Sequence, residues 1–158
     1  MIAAKNLTSP TIVLAVKTAV AAVLSMYATN LLHLPQGYWA AISAIVVMQS
    51  EVGATLSASR DRLIGTAIGV VAGTLFGMLG GNSLLWFGLA SILTTLICQV
   101  LGLEQSYRMA CVTVAIIMLV HAPEPVWNTA IRRFLEVGLG IVVALLLSLK
   151  HVKLGPAG

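Results

Sequence analysis

Charged residues are scarce in this 158-residue chain: Asp, Glu, Lys and Arg together form 9% of it, against 59% for hydrophobic residues. A soluble domain carries about a quarter charged residues. A core of this size cannot bury so much apolar side chain, so lipid must solvate a large part of the surface. The composition therefore predicts an integral membrane protein. The net charge of +4 does not indicate nucleic-acid binding, because the basic residues lie at the edges of apolar runs.

Groups that could catalyse a reaction or bind a metal are equally few. Among the five carboxylates, only Glu136 falls clearly within an apolar run, which gives a proton relay little support. Cys98 and Cys111 both lie in apolar runs, without the spacing of a disulfide framework or a metal site. Glycine-rich phosphate loops and Ser/His/Asp sets are absent from the sequence. The sequence thus predicts neither an enzyme nor a bound cofactor or metal.

Six apolar runs separated by turn signals fill most of the chain. Their bounds are about 11–32, 38–50, 56–79, 84–103, 107–120 and 126–149. In a bilayer these runs must be helices, because backbone groups there have no water to bond. We therefore expect one all-α transmembrane domain over residues 1–158, with six transmembrane helices and no soluble domain.

The basic residues also predict an orientation. With six spans and the N-terminus inside, the inner side collects most of them, as the positive-inside rule requires. They are Lys5, Arg60, Arg62, Arg108, Lys150 and Lys153. The three tryptophans, Trp39, Trp86 and Trp127, then fall at the outer helix ends as an interfacial belt. We expect both termini to be cytoplasmic.

An internal repeat relates "LHLPQGYWAA" at 32–41 to "LGLEQSYRMA" at 101–110, a constant offset of 69 residues. The shared Gln-x-Tyr favours a duplication over chance identity of leucines. With one residue inserted, Arg62 pairs with Arg132. Because the offset spans three helices, the halves, about 11–80 and 84–150, must be inverted relative to each other. Inverted repeats are the plan of many transporters.

The second and fifth apolar runs are shorter than the roughly 20 residues that a membrane span needs. Short segments at corresponding positions of two halves indicate a substrate site near the membrane midplane. The alternative is that both helices simply continue through polar turns that face protein.

The third run contains Gly65, Gly69, Gly73 and Gly77 at an unbroken spacing of four. Such a stripe lets another helix approach at backbone distance. Helix packing is the favoured interpretation, and lining of a pathway is the alternative.

Four basic residues are candidates for an anion pathway: Lys17, Arg62, Arg132 and Arg133. Arginine suits carboxylates, because its permanent charge can donate a bidentate pair of hydrogen bonds, and rings of basic side chains make pores anion-selective. Lys17 lies inside "TIVLAVKTAVAAVL", where a charge costs about 2.5–3.5 kcal/mol on insertion scales. Interfacial anchoring is the alternative for the arginines, as is snorkelling for Lys17. Glu136 is a charge partner for Arg132 or Arg133.

The stretch 38–77 resembles the fusaric acid resistance (FUSC) and aromatic acid exporter superfamily, and is similar to the plant aluminium-activated malate transporters. It opens with "YWA", continues with "VGATLS" at 52–57, and then has Arg62, Gly65 and Thr66. The basic residue in "VKTA" at 16–19 and the combination of Arg133 with Gly140 fit the same pattern. The 52–66 segment is the specific part.

The resemblance implies a six-helix module that moves organic anions, and dimers enclose the pathway in the plant channels. Larger members add a soluble domain or a second module, which this sequence lacks. We therefore expect an anion channel or transporter for carboxylates or small inorganic anions, acting as a homo-oligomer, most simply a dimer, in a bacterial inner membrane. The alternatives are a proton-coupled exporter that uses Glu136 and a non-transporting accessory subunit of an efflux system.

Overall fold

The computed structural model describes residues 9–80, 83–120 and 125–152, and within them every regular element is an α-helix. In chain order the helices are α1 (Ser9–Leu31), α2 (Tyr38–Val47), α3 (Val52–Gly80), α4 (Leu84–Val100), α5 (Tyr107–Leu119) and α6 (Val126–Val152). The predicted all-α class is confirmed. Lys5 and Lys153, two of the basic residues that were predicted to lie on the inner side, are outside the described residues.

Two of the described helices are long and apolar enough to cross a bilayer: α1, over Thr11–Leu31, and α3. The apolar helices α2, α4 and α5 have only 10, 17 and 13 residues. At about 1.5 Å per residue, α2 extends roughly 15 Å, half of the hydrocarbon thickness. The six predicted helices are therefore present, but α2, α4 and α5 are shorter than the roughly 20 residues that a transmembrane helix needs.

The early end of α2 has a local cause. The apolar run continues to Met48, yet α2 stops at Val47, because Met48 is extended with ψ 121°. The next backbone N–H, that of Gln49, donates to the Thr55 hydroxyl over 3.1 Å. This bond belongs to the turn into α3, which begins at Val52, four residues before the predicted start.

The chain divides into two compact units. Unit 1 comprises Met1–Ser59 and Gly138–Gly158, and unit 2 comprises Arg60–Val137. In unit 1, α1 packs on α2; in unit 2, α4 packs on α5. The two boundaries fall inside the long helices α3 and α6.

The core of unit 2 lies between α3, α4 and α5. Ala90 of α4 meets Val114 and Met118 of α5, and Phe76 of α3 packs against this cluster. Phe76 also contacts the ring of Trp86, with centroids 6.0 Å apart. These apolar contacts fix the position of α5 within the unit.

The turns after α1 and α4 use the same backbone hydrogen bonds. The Leu34 N–H donates to Thr29 O over 3.0 Å, and the Leu103 N–H donates to Cys98 O over 2.8 Å. These six-to-one bonds are those of a Schellman motif, which places the preceding residue in the left-handed region. That residue is His33 (φ 53°) in the first turn and Gly102 (φ 69°) in the second.

Replacing His33 with glycine should therefore stabilise unit 1. A non-glycine residue in the left-handed conformation costs about 1–2 kcal/mol, partly offset by the greater flexibility of unfolded glycine. We expect His33→Gly to raise the free energy of unfolding by up to about 1 kcal/mol, measured by denaturant titration of tryptophan fluorescence in detergent. His33→Ala, which keeps the Cβ, is the control and should leave stability nearly unchanged. A loss of stability in His33→Gly would contradict the assignment.

Candidate functional site

Among the described residues of unit 2, three charged side chains are buried. Arg62 of α3 is 6% exposed, and Arg133 and Glu136 of α6 are 2% and 1% exposed. Lys, Glu, Arg and Asp are almost never fully buried unless they are paired. This concentration of charge in an apolar chain marks the region as the candidate site.

Arg62 is held against α5. Its guanidinium Nη1 donates to the thioether Sδ of Met109, and its carbonyl accepts the Thr66 hydroxyl over 2.8 Å. Arg60, two residues earlier on the same helix, is exposed. The helix period therefore separates an interior arginine from a surface arginine, and this difference favours a role in the interior for Arg62 over interfacial anchoring.

Arg133 and Glu136 form an ion pair. Nη1 of Arg133 lies 3.4 Å from Oε2 of Glu136, one helical turn apart, and both side chains are 2% exposed. The sequence predicted either Arg132 or Arg133 as the charge partner of Glu136, and this bond involves Arg133. The side chain of Arg132, the preceding residue, is half-buried. Removing one partner of a buried pair leaves a charge without compensation and costs about 3–5 kcal/mol.

The glycine stripe of α3 packs against backbone. A Cβ added at Gly65 would lie 2.5 Å from the carbonyl oxygen of Ser106, and one added at Gly69 would lie 2.5 Å from that of Ala110. A Cβ at Gly73 would lie 3.1 Å from Cβ of Ile117. These three glycines thus let α3 approach α5 closely, which favours helix packing over pathway lining at these positions. A Cβ added at Gly77 would instead lie 3.3 Å from Cγ1 of Val126.

Lys17, the fourth predicted cation, belongs to unit 1, whereas the three arginines belong to unit 2. It is half-buried in α1. Beside it, an apolar groove of about 470 Å³ runs along α1 and reaches Ile45 of α2. The three arginines of the predicted anion pathway therefore belong to one compact unit, and Lys17 belongs to the other.

A polar cavity of about 320 Å³ lies in unit 2 where α3 meets the turn after α4. It is lined by Arg60, Asp61, Gly102, Leu103, Glu104 and Gln105. One basic and two acidic side chains share it, so its charge does not favour an anion. Within the described ranges, His, Cys, Asp and Glu form no group of three that could hold a metal.

Sequence reasoning missed Met109, the thioether that receives Arg62. In the repeat that the sequence predicts, Met109 would align with Ala40, so the predicted repeat does not mark it. No charge, motif or period distinguishes it from the other methionines of the chain. Only the packing of α3 on α5 identifies it.

A side chain at Gly69 should destabilise the protein. A Cβ there meets a backbone carbonyl that cannot move without shifting α5, and such overpacking costs about 1–3 kcal/mol. We expect Gly69→Ala to lower the free energy of unfolding by this amount in a denaturant titration. Gly88→Ala on α4, where nothing lies within 4 Å, is the matched control and should be neutral or stabilising. Equal effects of the two substitutions would contradict the packing.

A double-mutant cycle should reveal the buried ion pair. We expect Arg133→Met and Glu136→Leu each to lose about 3–5 kcal/mol of stability, and the double variant to lose less than the sum of the two, because each single change leaves the other member of this pair buried without it. The free energies would come from chemical denaturation in detergent. Additive losses would show that the two side chains do not interact.

The family model described as aromatic acid exporter family member 1 matches residues 13–150. The UPF0421 protein YgaE of Bacillus subtilis (strain 168) is 29% identical over 133 residues, a match that covers 84% of this chain and 37% of the relative. The chain thus spans little more than a third of that relative's length. No solved structure gives a significant match.

Proposed function

We propose, because the chain belongs to the aromatic acid exporter family, that it is a membrane channel or transporter for organic carboxylates or small inorganic anions and acts as a homo-oligomer. The family consists of membrane transport proteins rather than enzymes. We place it in a bacterial inner membrane with both termini in the cytoplasm. Aromatic carboxylates are the first substrates to test. Within the homo-oligomer we favour a dimer.

The buried guanidinium of Arg62 is the observation that carries this proposal. An ionised group is expensive to bury among apolar helices, and intramembrane charges mark substrate or ion pathways by default. Arg62 contacts the thioether of Met109, and its guanidinium presents the planar fork of donors that suits a carboxylate. The remaining members of the proposed anion pathway are Lys17, Arg132 and Arg133.

We further propose that the two halves of the chain are inverted copies. The turns after α1 and α4 share their hydrogen bonds at an offset of 69 residues. Along the third helix of each half, burial recurs at an offset of 71 residues. The buried pairs are Ser59/Ala130, Arg62/Arg133, Gly65/Glu136, Thr66/Val137, Gly69/Gly140, Gly73/Ala144 and Gly77/Ser148. This pattern supports Arg133, rather than the predicted Arg132, as the counterpart of Arg62.

A proton-coupled exporter is the second candidate, and the burial of Glu136 favours it. A carboxylate that is 1% exposed and paired with Arg133 can release that arginine when it takes up a proton. Substrate binding to Arg133 would then be linked to proton transfer at Glu136. In a channel, the same pair only balances charge.

Flux measurements in proteoliposomes test these functions. We expect Arg62→Ala to reduce benzoate flux about tenfold or more, because a hydrogen bond to a charged group contributes about 1.5–3 kcal/mol. Arg62→Lys should retain part of the flux. Arg60→Ala, which removes an exposed arginine from the same helix, is the matched control and should retain all of it.

The pH gradient separates the alternatives. Electrogenic flux that persists without a gradient supports the channel. Flux that requires the gradient and disappears in Glu136→Gln supports the proton-coupled exporter. A pure protein that is silent for benzoate, malate and chloride would contradict both and favour the third candidate, a non-transporting accessory subunit.

A further inference from the structure

The polar cavity of unit 2 brings charged side chains of both signs together. Of the residues that line its volume of about 320 Å³, Arg60 and Glu104 are exposed and Asp61 is half-buried. Among the described residues, no ion pair joins any two of these three side chains. The cavity therefore offers one cation and two carboxylates to a ligand that itself carries both charges.

The cavity lies where an apolar helix gives way to a polar turn. Its lining residues Gly102–Gln105 fall between the end of α4 and the start of α5. There, α5 begins with Tyr107 and Arg108, and the guanidinium carbon of Arg108 lies 5.7 Å from the centre of the Tyr107 ring. Tyrosine and basic residues that flank apolar helices are typical of the membrane–water interface. This pattern indicates that the cavity lies at the level of the lipid headgroups.

An exposed apolar stripe on α4 leads to the cavity. Leu89, Leu93, Leu96 and Val100 follow one another at intervals of three or four residues, so they share one face of the helix. All four are exposed, and Val100, at 86%, is the most exposed of them. Val100 stands two residues before Gly102, the first residue of the turn that lines the cavity. In a bilayer such a face is covered by acyl chains, so a headgroup in the cavity would have its tail beside α4.

From this arrangement we propose that the cavity binds the headgroup of phosphatidylethanolamine, with an acyl chain along the α4 stripe. Arg60 pairs with the lipid phosphate, because the guanidinium fork matches the geometry of phosphate oxygens. A primary ammonium has three N–H donors, so it bonds to the carboxylates of both Asp61 and Glu104. The choline headgroup has no N–H donor and the glycerol headgroup has no cation, so neither fits these three side chains.

Size and position agree with a headgroup site. The cavity of about 320 Å³ lies at the lower end of the range of small-molecule sites, about 300–1,000 Å³, which suits a headgroup rather than a whole lipid. A bound headgroup would join Asp61 of α3 to Glu104 of the turn after α4 and so stabilise unit 2. Arg60 is not a member of the proposed anion pathway, so this lipid would act on stability and not on flux.

Thermal unfolding of the purified protein in detergent, followed by tryptophan fluorescence, tests the site. Added phosphatidylethanolamine should raise the unfolding temperature with saturation, since a ligand that binds the folded state stabilises it. Phosphatidylcholine and phosphatidylglycerol with the same acyl chains should give smaller shifts at the same concentration. Equal shifts with all three lipids would overturn the proposal. Free phosphoethanolamine has the headgroup charges without a tail and should bind more weakly; an equal affinity would assign the cavity to a soluble ligand and overturn the lipid site.

Variants assign the response to these side chains. Asp61→Asn and Glu104→Gln keep the shape of each side chain outside the core, so both proteins should fold. Each should lower the affinity for phosphatidylethanolamine about tenfold, as expected when a hydrogen bond between charged groups is lost. Glu51→Gln, which neutralises an exposed carboxylate of unit 1, is the matched control and should leave the affinity unchanged. Arg60→Gln should weaken binding of the lipid, with Arg108→Gln as its control. An undiminished preference for phosphatidylethanolamine in both carboxylate variants would overturn the site.

Discussion

The close approach of α3 to α5 is the contact on which unit 2 depends. At three positions α3 contributes no side chain to the contact, so its backbone approaches the carbonyls of Ser106 and Ala110. This approach brings Arg62 to Met109 and encloses its guanidinium. The same approach lets Phe76 of α3 reach the α4–α5 core. A larger residue in the stripe would separate the helices and expose the arginine together with the core.

The two buried arginines of unit 2 are accommodated differently. Three residues after Arg133, Glu136 supplies a compensating carboxylate within hydrogen-bond reach. Three residues after Arg62 the chain has Gly65, whose small size admits α5 and hence the thioether of Met109. The contact printed for Arg133 is therefore to a carboxylate of its own helix, and the contact for Arg62 is to a thioether of α5.

Much of the helical architecture could be predicted from the sequence, because turn residues end the apolar runs. The starts of α2, α4, α5 and α6 agree with the predicted bounds. The end of α2 at Val47 could not be predicted, since it depends on a hydroxyl, that of Thr55, six residues beyond the N–H that it binds. For Glu136 the sequence could only indicate a bond to Arg132 or to Arg133. Residues three and four positions away both lie within reach of a side chain on a helix. The contact of Arg62 with Met109 spans 47 residues, and no local pattern encodes it.

If the buried Arg62 selects a carboxylate, the protein should bind an acid more tightly than its neutral isostere. The affinities of such a pair test this role most directly. Benzoate and benzamide have the same ring and nearly the same shape but differ in charge. Isothermal titration of each into the purified protein in nanodiscs should detect saturable binding of benzoate and none of benzamide, and Arg62→Ala should lose the benzoate signal. Binding of both ligands with equal affinity, or benzoate binding that is unchanged in Arg62→Ala, would contradict the account.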